Sequence, residues 1–260
     1  MSKEFLVIMS DDELDKMRAV GQLAAEMLHF LGSMVKPEIS TLELNNVAIK
    51  WTKAHNAINA PLGYHGFPKS ICTSVNEVIC HGIPSKKQIL KNGDIINIDV
   101  TPILDGYHGD TSKTFFVGKP KPKAKKLVDV AEKCLKLAIN EVAPNKRIGD
   151  IGHAIQTHAE RSGFSVVRDF VGHGIGKKFH TEPQIPHYGV KGRGQRLQEG
   201  MVFTIEPMVN IGTYKTKILD DGWTAITEDR KLSAQFEHTI VVTKNGFEIL
   251  TLKKNETFSL

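Results

Sequence analysis

Apolar residues recur at helical spacing near the start of the chain. Leu14, Met17, Val20, Gly21, Ala24, Leu28 and Leu31 fall on one face. Ser10 and Glu13 ahead of them form a capping box, so a helix begins there. A second box, Ser40 with Glu43, predicts a helix running to about Lys53. Between Asp94 and Val117 the pattern changes to short β-branched runs. Ile95 to Val100 reads as a strand, Asp105-Gly106 as a hairpin turn, and Thr114 to Val117 as the return strand. Helical spacing resumes from Leu127 to Val142, with Leu127, Val130, Ala131, Cys134, Leu135 and Ala138 on one face. Another helix is predicted from Ile148 to a stop at Gly163. Strands follow at Val202 to Glu206 and His238 to Thr243, with a turn around Asp220-Asp221-Gly222.

The order is helices then strands, twice. Leu90 to Asp99 also matches Leu197 to Glu206: both read Leu-x-x-Gly-x, two apolar residues, one polar, Ile, then a carboxylate. The repeat points to two related halves, at about residues 1–120 and 121–260, within one domain. Each copy ends an apolar strand on an acidic side chain, a costly place for a charge unless something pairs with it.

Turn geometry sharpens this. A two-residue turn at Asp105-Gly106 pairs Leu104 with Tyr107. It then sets Asp99 opposite Ser112 and Asp110 opposite Thr101. Asp99 and Asp110 become diagonal neighbours on one face, roughly 7–8 Å apart at Cα. Carboxylates that close repel unless a proton or cation lies between them. A three-residue loop would place them on opposite faces.

The second half offers Glu206, followed by Pro207, and Glu237 at the start of a strand. His173 sits in the glycine-rich run Val171 to Gly176, where backbone can approach a ligand closely. Oxygen ligands with a single imidazole suit Mn, Fe, Co or Zn better than they suit a thiolate zinc site. Four carboxylates balance two divalent ions held roughly 3.5–4 Å apart. His81 and His180 lie in Gly/Pro-flanked loops, the usual location of functional residues. His29, His55, His108, His153, His158 and His187 read as surface residues.

Composition adds limits. The chain has 260 residues and is 40% hydrophobic, enough for one large domain or two fused halves. Three cysteines, Cys72, Cys80 and Cys134, with no Cys-x-x-Cys pair, fit a reducing compartment. The short apolar run from Phe5 to Met9 lacks the apolar core and cleavage site expected of a signal peptide, and no stretch is long enough to read as a membrane-spanning helix. Cytoplasm is the expected location. The net charge of +5 owes part of its excess to Lys119 to Lys126, which reads K-P-K-P-K-A-K-K. That run is expected to be a solvated linker, with contact to an anionic partner such as ribosomal RNA as the alternative. No motif for reading nucleic-acid sequence is present.

Together, Asn76 to Pro84, Asp99, Asp110, Gly172 to Gly176, Phe179 to Pro183, Thr204 to Pro207 and Gln235 to Thr239 resemble type I methionine aminopeptidases in order and spacing. The resemblance runs from about residue 5 to 252. No long insertion separates His180 from Glu206, and there is no Cys/His-rich extension, as in the short bacterial form or an organellar enzyme trimmed of its transit peptide. It implies the α+β pita-bread fold, two pseudo-symmetric halves around a curved antiparallel sheet. It also implies a monomeric exopeptidase that removes initiator methionine from nascent polypeptide N-termini with a small second residue. By the resemblance, Asp99 holds one metal, His173 and Glu206 the other, and Asp110 and Glu237 bridge both. A hydroxide between the metals attacks the carbonyl, with Glu206 as proton shuttle. His180 stabilises the carbonyl oxygen and His81 the leaving nitrogen. Tyr64, Phe67, Cys72, Phe179 and Trp223 line the methionine slot, with Pro61 replacing a Cys of some relatives. A Na or K site maps to Asn76, Val78 and Ser233. The ribosome is an implied partner, with Lys215 and Lys217 as further contact candidates.

Rival readings are an X-Pro aminopeptidase or prolidase, which usually carries an extra N-terminal domain, and a non-catalytic peptide-binding relative, which would have lost ligands that are present here.

Overall fold

A computed structural model of the chain describes residues 7–259. Phe5 and Leu6, part of the apolar run noted above, lie outside the described residues. Both capping boxes form. The Ser10 hydroxyl accepts from Glu13 N–H at the start of α1 (Asp11–Ser33), and Ser40 does the same for Glu43 at the start of α2 (Thr41–Ala54). In each box the glutamate carboxylate returns to the serine N–H, so two otherwise unpaired donors are satisfied.

The third helix, α3, spans Pro122–Ile139, and the fourth, α4, spans Ile148–Arg161. The expected linker at Lys119 to Lys126 is therefore partly helical. Pro122 takes the first helical position, where its missing N–H and fixed φ suit the turn. Lys125 pairs with Asp129 at 2.6 Å. Lys126 donates to Ser162 O at 3.0 Å and lies over the Phe164 ring.

Seven strands form the main path of a ten-stranded sheet among the described residues. They are β1 (Cys72–Val75), β2 (Ile95–Val100), β3 (Thr111–Phe116), β4 (Gly172–Gly174), β5 (Thr181–Ile185), β6 (Val202–Ile205) and β7 (Ser233–Thr243). The spatial order is β5-β4-β6-β7-β3-β2-β1, with every neighbouring pair antiparallel. The return strand β3 begins at Thr111 rather than Thr114, because pairing with β2 continues that far. Likewise β7 begins at Ser233, so Glu237 lies within the strand and not at its start.

The sequence repeat reappears as repeated bonding. Gly93 N–H donates to Val117 O at 2.8 Å, and Val117 N–H donates to Asp94 O at 2.9 Å. In the second half Gly200 N–H donates to Val242 O at 2.9 Å, and Val242 N–H donates to Met201 O at 2.9 Å. Gly93 and Gly200 have φ of 94° and 83°, a left-handed turn that glycine enters without a Cβ penalty. Leu90 and Leu197 are both buried at the head of their repeats. The two halves are thus pseudo-symmetric around the curved sheet of a pita-bread fold.

Strand alternation sorts the two faces. Ile96, Ile98 and Val100 pack with Met27, Leu31 and Leu44 of α1 and α2. Phe203, Ile205, Phe236 and Ile240 pack with Leu127, Ala131 and Ile151 of α3 and α4. The intervening residues Asp99, Glu206 and Glu237 face the cleft on the other side. Each half therefore has its own core under its own helix pair. No helix among the described residues is long and apolar enough to cross a membrane.

The turn glycines give a direct check. A Cβ on Gly93 would meet a single atom within 4 Å, the Lys119 carbonyl oxygen at 3.7 Å, so backbone strain is the main cost of substitution. Gly93→Ala is expected to lower unfolding free energy by about 1–2 kcal/mol, read as a shift of the urea midpoint. An unchanged midpoint would show that the left-handed turn is not required.

Candidate active site

The Asp105-Gly106 turn has φ of 51° and 80°, the pair of positive values that a tight hairpin requires. It sets Leu104 opposite Tyr107 and Asp99 opposite Ser112, the register expected from the sequence. Thr101 Oγ1 donates to Asp110 Oδ1 at 2.9 Å, so these two residues also face each other as expected. From the other half, β4 delivers His173, the end of β6 delivers Glu206, and the middle of β7 delivers Glu237. Donor atoms of Asp110, His173 and Glu237 lie within 4.8 Å of one another. His173 Nε2 is 3.6 Å from Asp110 Oδ2 and 3.7 Å from Glu206 Oε1. Asp99 lines the same cleft.

Burial and crowding perturb Asp99, His173, Glu206 and Glu237. Burial, then Asp110 and Glu206, push the Asp99 carboxyl well above the usual carboxylate range. Burial, then Asp110, Glu206 and Asp99, do the same to Glu237. Burial raises Glu206 to about 7, with Asp110 adding to it and His173 opposing it. Burial draws the His173 imidazole down, but the Asp110 and Glu206 charges outweigh it and leave the pKa raised. The group is short of positive charge. Oxygen-rich donors with one imidazole fit hard to borderline divalent cations, which would supply that charge.

Glu206 is held on several sides. Thr204 Oγ1 donates to Oε1 at 2.8 Å, and Gln235 Nε2 donates to Oε2 at 3.2 Å. The Thr204 oxygen accepts from His173 N–H at 3.0 Å, which leaves its proton for the carboxylate. Neither Thr204 nor Gln235 was among the expected site residues, although a signal existed. Each lies two residues before an expected ligand on a strand, hence on the same face.

The cleft has a volume of about 580 Å³ and holds all the expected slot residues, Tyr64, Phe67, Cys72, Phe179 and Trp223, together with His81 and His180. Phe67 and Trp223 meet edge to face at 5.2 Å between ring centroids, and Tyr64 lies 4.9 Å from Phe179. Pro61 also lines the cleft. His180 Nδ1 is 2.8 Å from Tyr64 Oη. Burial, then the neighbouring His173, depress the His180 pKa to about 3, so its ring is neutral near pH 7. Burial also lowers His81, whose backbone has φ of 57°. Such a conformation in a non-glycine residue fits a position fixed for function.

Three of the expected surface histidines, His108, His158 and His187, are not fully at the surface. His108 is half-buried, with Nδ1 2.8 Å from Gly176 O and its ring stacked on Phe179. His187 is wholly buried, and its Nε2 accepts from Glu206 N–H at 3.3 Å. Local sequence around His187, between Pro186 and Gly189, resembles a surface loop and gives no hint of this.

Asn76 adopts φ of 56°, and its carbonyl accepts from Ser233 N–H at 2.9 Å. The Ser233 hydroxyl is buried without a hydrogen-bond partner. Val78 begins the strand Val78–Cys80 beside them.

Comparison with known proteins agrees with this geometry. The metallopeptidase family M24 matches residues 15–244. The chain is 69% identical over 247 residues to methionine aminopeptidase A of Synechocystis sp., covering 95% of this chain and 98% of that protein. It is 52% identical over 251 residues to the methionine aminopeptidase of Escherichia coli, covering 96% and 95%. The crystal structure of methionine aminopeptidase from Rickettsia prowazekii superposes with a TM-score of 0.94 at 54% identity, covering 95% of this chain and all of that one. A prolidase from Pyrococcus furiosus, at 20% identity and a TM-score of 0.77, covers 96% of this chain and 66% of its own, and shares the fold alone. With identity sustained across nearly the full length of both partners, the chain belongs to the methionine aminopeptidases of metallopeptidase family M24.

Proposed function

We propose that the chain removes N-terminal methionine from nascent polypeptides with a small second residue, using two divalent ions. The observation that carries this reading is the meeting, in one cleft, of a cation-deficient Asp/Glu/His set and an aromatic slot. Asp99 would hold one ion, His173 and Glu206 the other, with Asp110 and Glu237 shared between them; Co, Mn, Fe and Zn all suit the donors. Bound there, the ions would supply Lewis-acid polarisation of the scissile carbonyl and lower the pKa of the attacking water.

The chain's own groups do the rest. Glu206, raised to about 7, is poised to accept a proton and return it to the leaving amine near neutral pH. If Tyr64 Oη donates to His180 Nδ1, the His180 proton sits on Nε2 and is available to the carbonyl oxygen as charge develops. His81, against the Trp223 and Phe170 rings, is placed to hold the leaving nitrogen. Phe67, Cys72, Phe179, Trp223 and Tyr64 receive the methionine side chain, where sulfur–aromatic contacts favour a thioether. The Ser233 hydroxyl, with the Asn76 and Val78 carbonyls, would hold one Na or K ion, which would answer its lack of a partner. The enzyme acts as a cytoplasmic monomer near the ribosome. Lys119, Lys121, Lys123, Lys215 and Lys217 are exposed for contact with ribosomal RNA.

Three outcomes are expected. Metal-stripped protein resupplied with Mn, Co or Fe(II) should release methionine from Met-Ala-Ser but not from Met-Lys-Ser, and should leave Ala-Pro-Ala intact. Glu206→Gln should lower kcat by about 10²–10⁴. Cleavage of Ala-Pro-Ala alone would move the activity to the X-Pro branch.

The second concerns pH. A carboxyl whose folded pKa lies above its unfolded value favours folding at low pH and opposes it as pH rises. For Glu206 the window runs from 4.5 to about 7, and Asp99 and Glu237 shift the same way. The stabilisation given by added Mn(II), measured as the difference between paired urea melts, should therefore grow from pH 5 to pH 7. It should reach about 2.7 kcal/mol where free ion is about 100 times Kd. A difference independent of pH would mean the ions bind elsewhere.

The third tests the monovalent ion. Potassium or sodium added to desalted protein should raise the thermal midpoint, and Ser233→Ala should abolish that response. The same response in both proteins would remove Ser233 from the site.

A further inference from the structure

The chain buries a histidine that the chemistry above does not use. His187 follows β5 and is wholly enclosed. Its Nε2 accepts from Glu206 N–H at 3.3 Å. A ring nitrogen that accepts from an amide carries no proton, so the neutral ring has its proton on Nδ1. Nδ1 has no hydrogen-bond partner in its buried surroundings. An unpaired buried donor is destabilising, and an apolar side chain would avoid it. A compensating role is needed to account for a histidine here.

The Glu206 amide provides one. β6 ends at Ile205, which is paired with His238 of β7. The next residue after Glu206 is Pro207, which has no N–H. Glu206 therefore carries the one donor in a two-residue break between the Ile205–His238 and Met208–Gln235 pairs, where no ladder bond is formed. The acceptor it meets is His187 Nε2, brought from outside the strand pair.

The segment that brings the acceptor is fixed in place. A Cβ on Gly152 of α4 would lie 2.7 Å from Pro186 O, and one on Gly149 would lie 2.5 Å from Val190 O, so these glycines admit the loop against the helix. Gly189 N–H donates to Gln156 Oε1 at 3.2 Å, and Gly192 N–H donates to Asp150 Oδ1 at 2.7 Å. We infer that His187 is a positioning residue: its Nε2 fixes the backbone of Glu206, while Thr204 and Gln235 fix the carboxylate.

This rests on the proposed role of Glu206, and the test separates the two. His187→Leu keeps bulk and removes the acceptor. His187→Gln places an amide oxygen near the Nε2 position. Both variants and the parent would be assayed on Met-Ala-Ser with Mn(II), with Mn(II) affinity measured by calorimetry and folding by circular dichroism. For His187→Leu, kcat or Mn(II) affinity should fall about 10–100-fold. KM should change by less than about threefold, and His187→Gln should recover most of the loss. A Leu variant equal to the parent, or Leu and Gln variants equally impaired, would overturn the inference. If the Leu variant does not fold, nitrogen-15 NMR of the parent decides: an unprotonated Nε2 supports the role, and a protonated Nε2 overturns it. A parent that binds Mn(II) but leaves Met-Ala-Ser intact would sink the proposed activity and not the hydrogen bond.

Discussion

Four carboxylates and an imidazole converge in a cleft where burial penalises the charges of Asp99, Glu206 and Glu237. This deficit of positive charge is the constraint on which the rest of the structure depends. Among the described residues no Lys or Arg lines the cleft, although the chain carries a net charge of +5. Charge balance therefore falls to ions from solution, and the protein contributes geometry. Strand alternation does most of that work. It sends Ile96, Ile98, Phe203 and Ile205 to the helices, and Asp99 and Glu206 to the cleft.

The internal repeat has a chemical consequence. A leucine, a left-handed glycine and an apolar strand ending in a carboxylate occur once in each half. The repeated Gly93/Val117 and Gly200/Val242 bonds hold both strands at matching offsets to their partners. Asp99 and Glu206 thereby reach the cleft from different halves of the chain. One local solution, used twice, brings a carboxylate from each half into the cleft.

Much of this was legible in the sequence because the signals were local. The Ser10 and Ser40 boxes, the Asp105-Gly106 turn and the alternation in β2 each depend on a few adjacent residues. The turn alone fixed the register that places Asp99 near Asp110. Assigning ligand roles needed the family resemblance, since no spacing joins Asp99 to His173. What escaped was non-local. His187 resembles a surface residue until the fold encloses it, and Lys119 to Lys126 reads as linker until Pro122 opens α3. Strand limits at Thr111 and Ser233 were missed because polar residues there pair across the sheet's centre.

That centre explains why polar residues occupy β3 and β7. The register between them is short, Phe236 with Lys113 and Glu237 with Ser112. Side chains extend it. Thr114 Oγ1 accepts from Gln235 N–H at 3.1 Å and donates to Gln235 O at 2.7 Å, and Asn97 Nδ2 donates to the same oxygen at 3.0 Å. Thr111 Oγ1 donates to Glu237 O at 2.8 Å, and Thr239 Oγ1 donates to Asp110 O at 2.8 Å. Hydroxyls thus replace ladder bonds where the two halves splay, and they attach to the backbones of Asp110 and Glu237. These are the two residues proposed to serve both ions. The bonds that join the halves are the same ones that place the shared ligands, so the seam and the site stand or fall together.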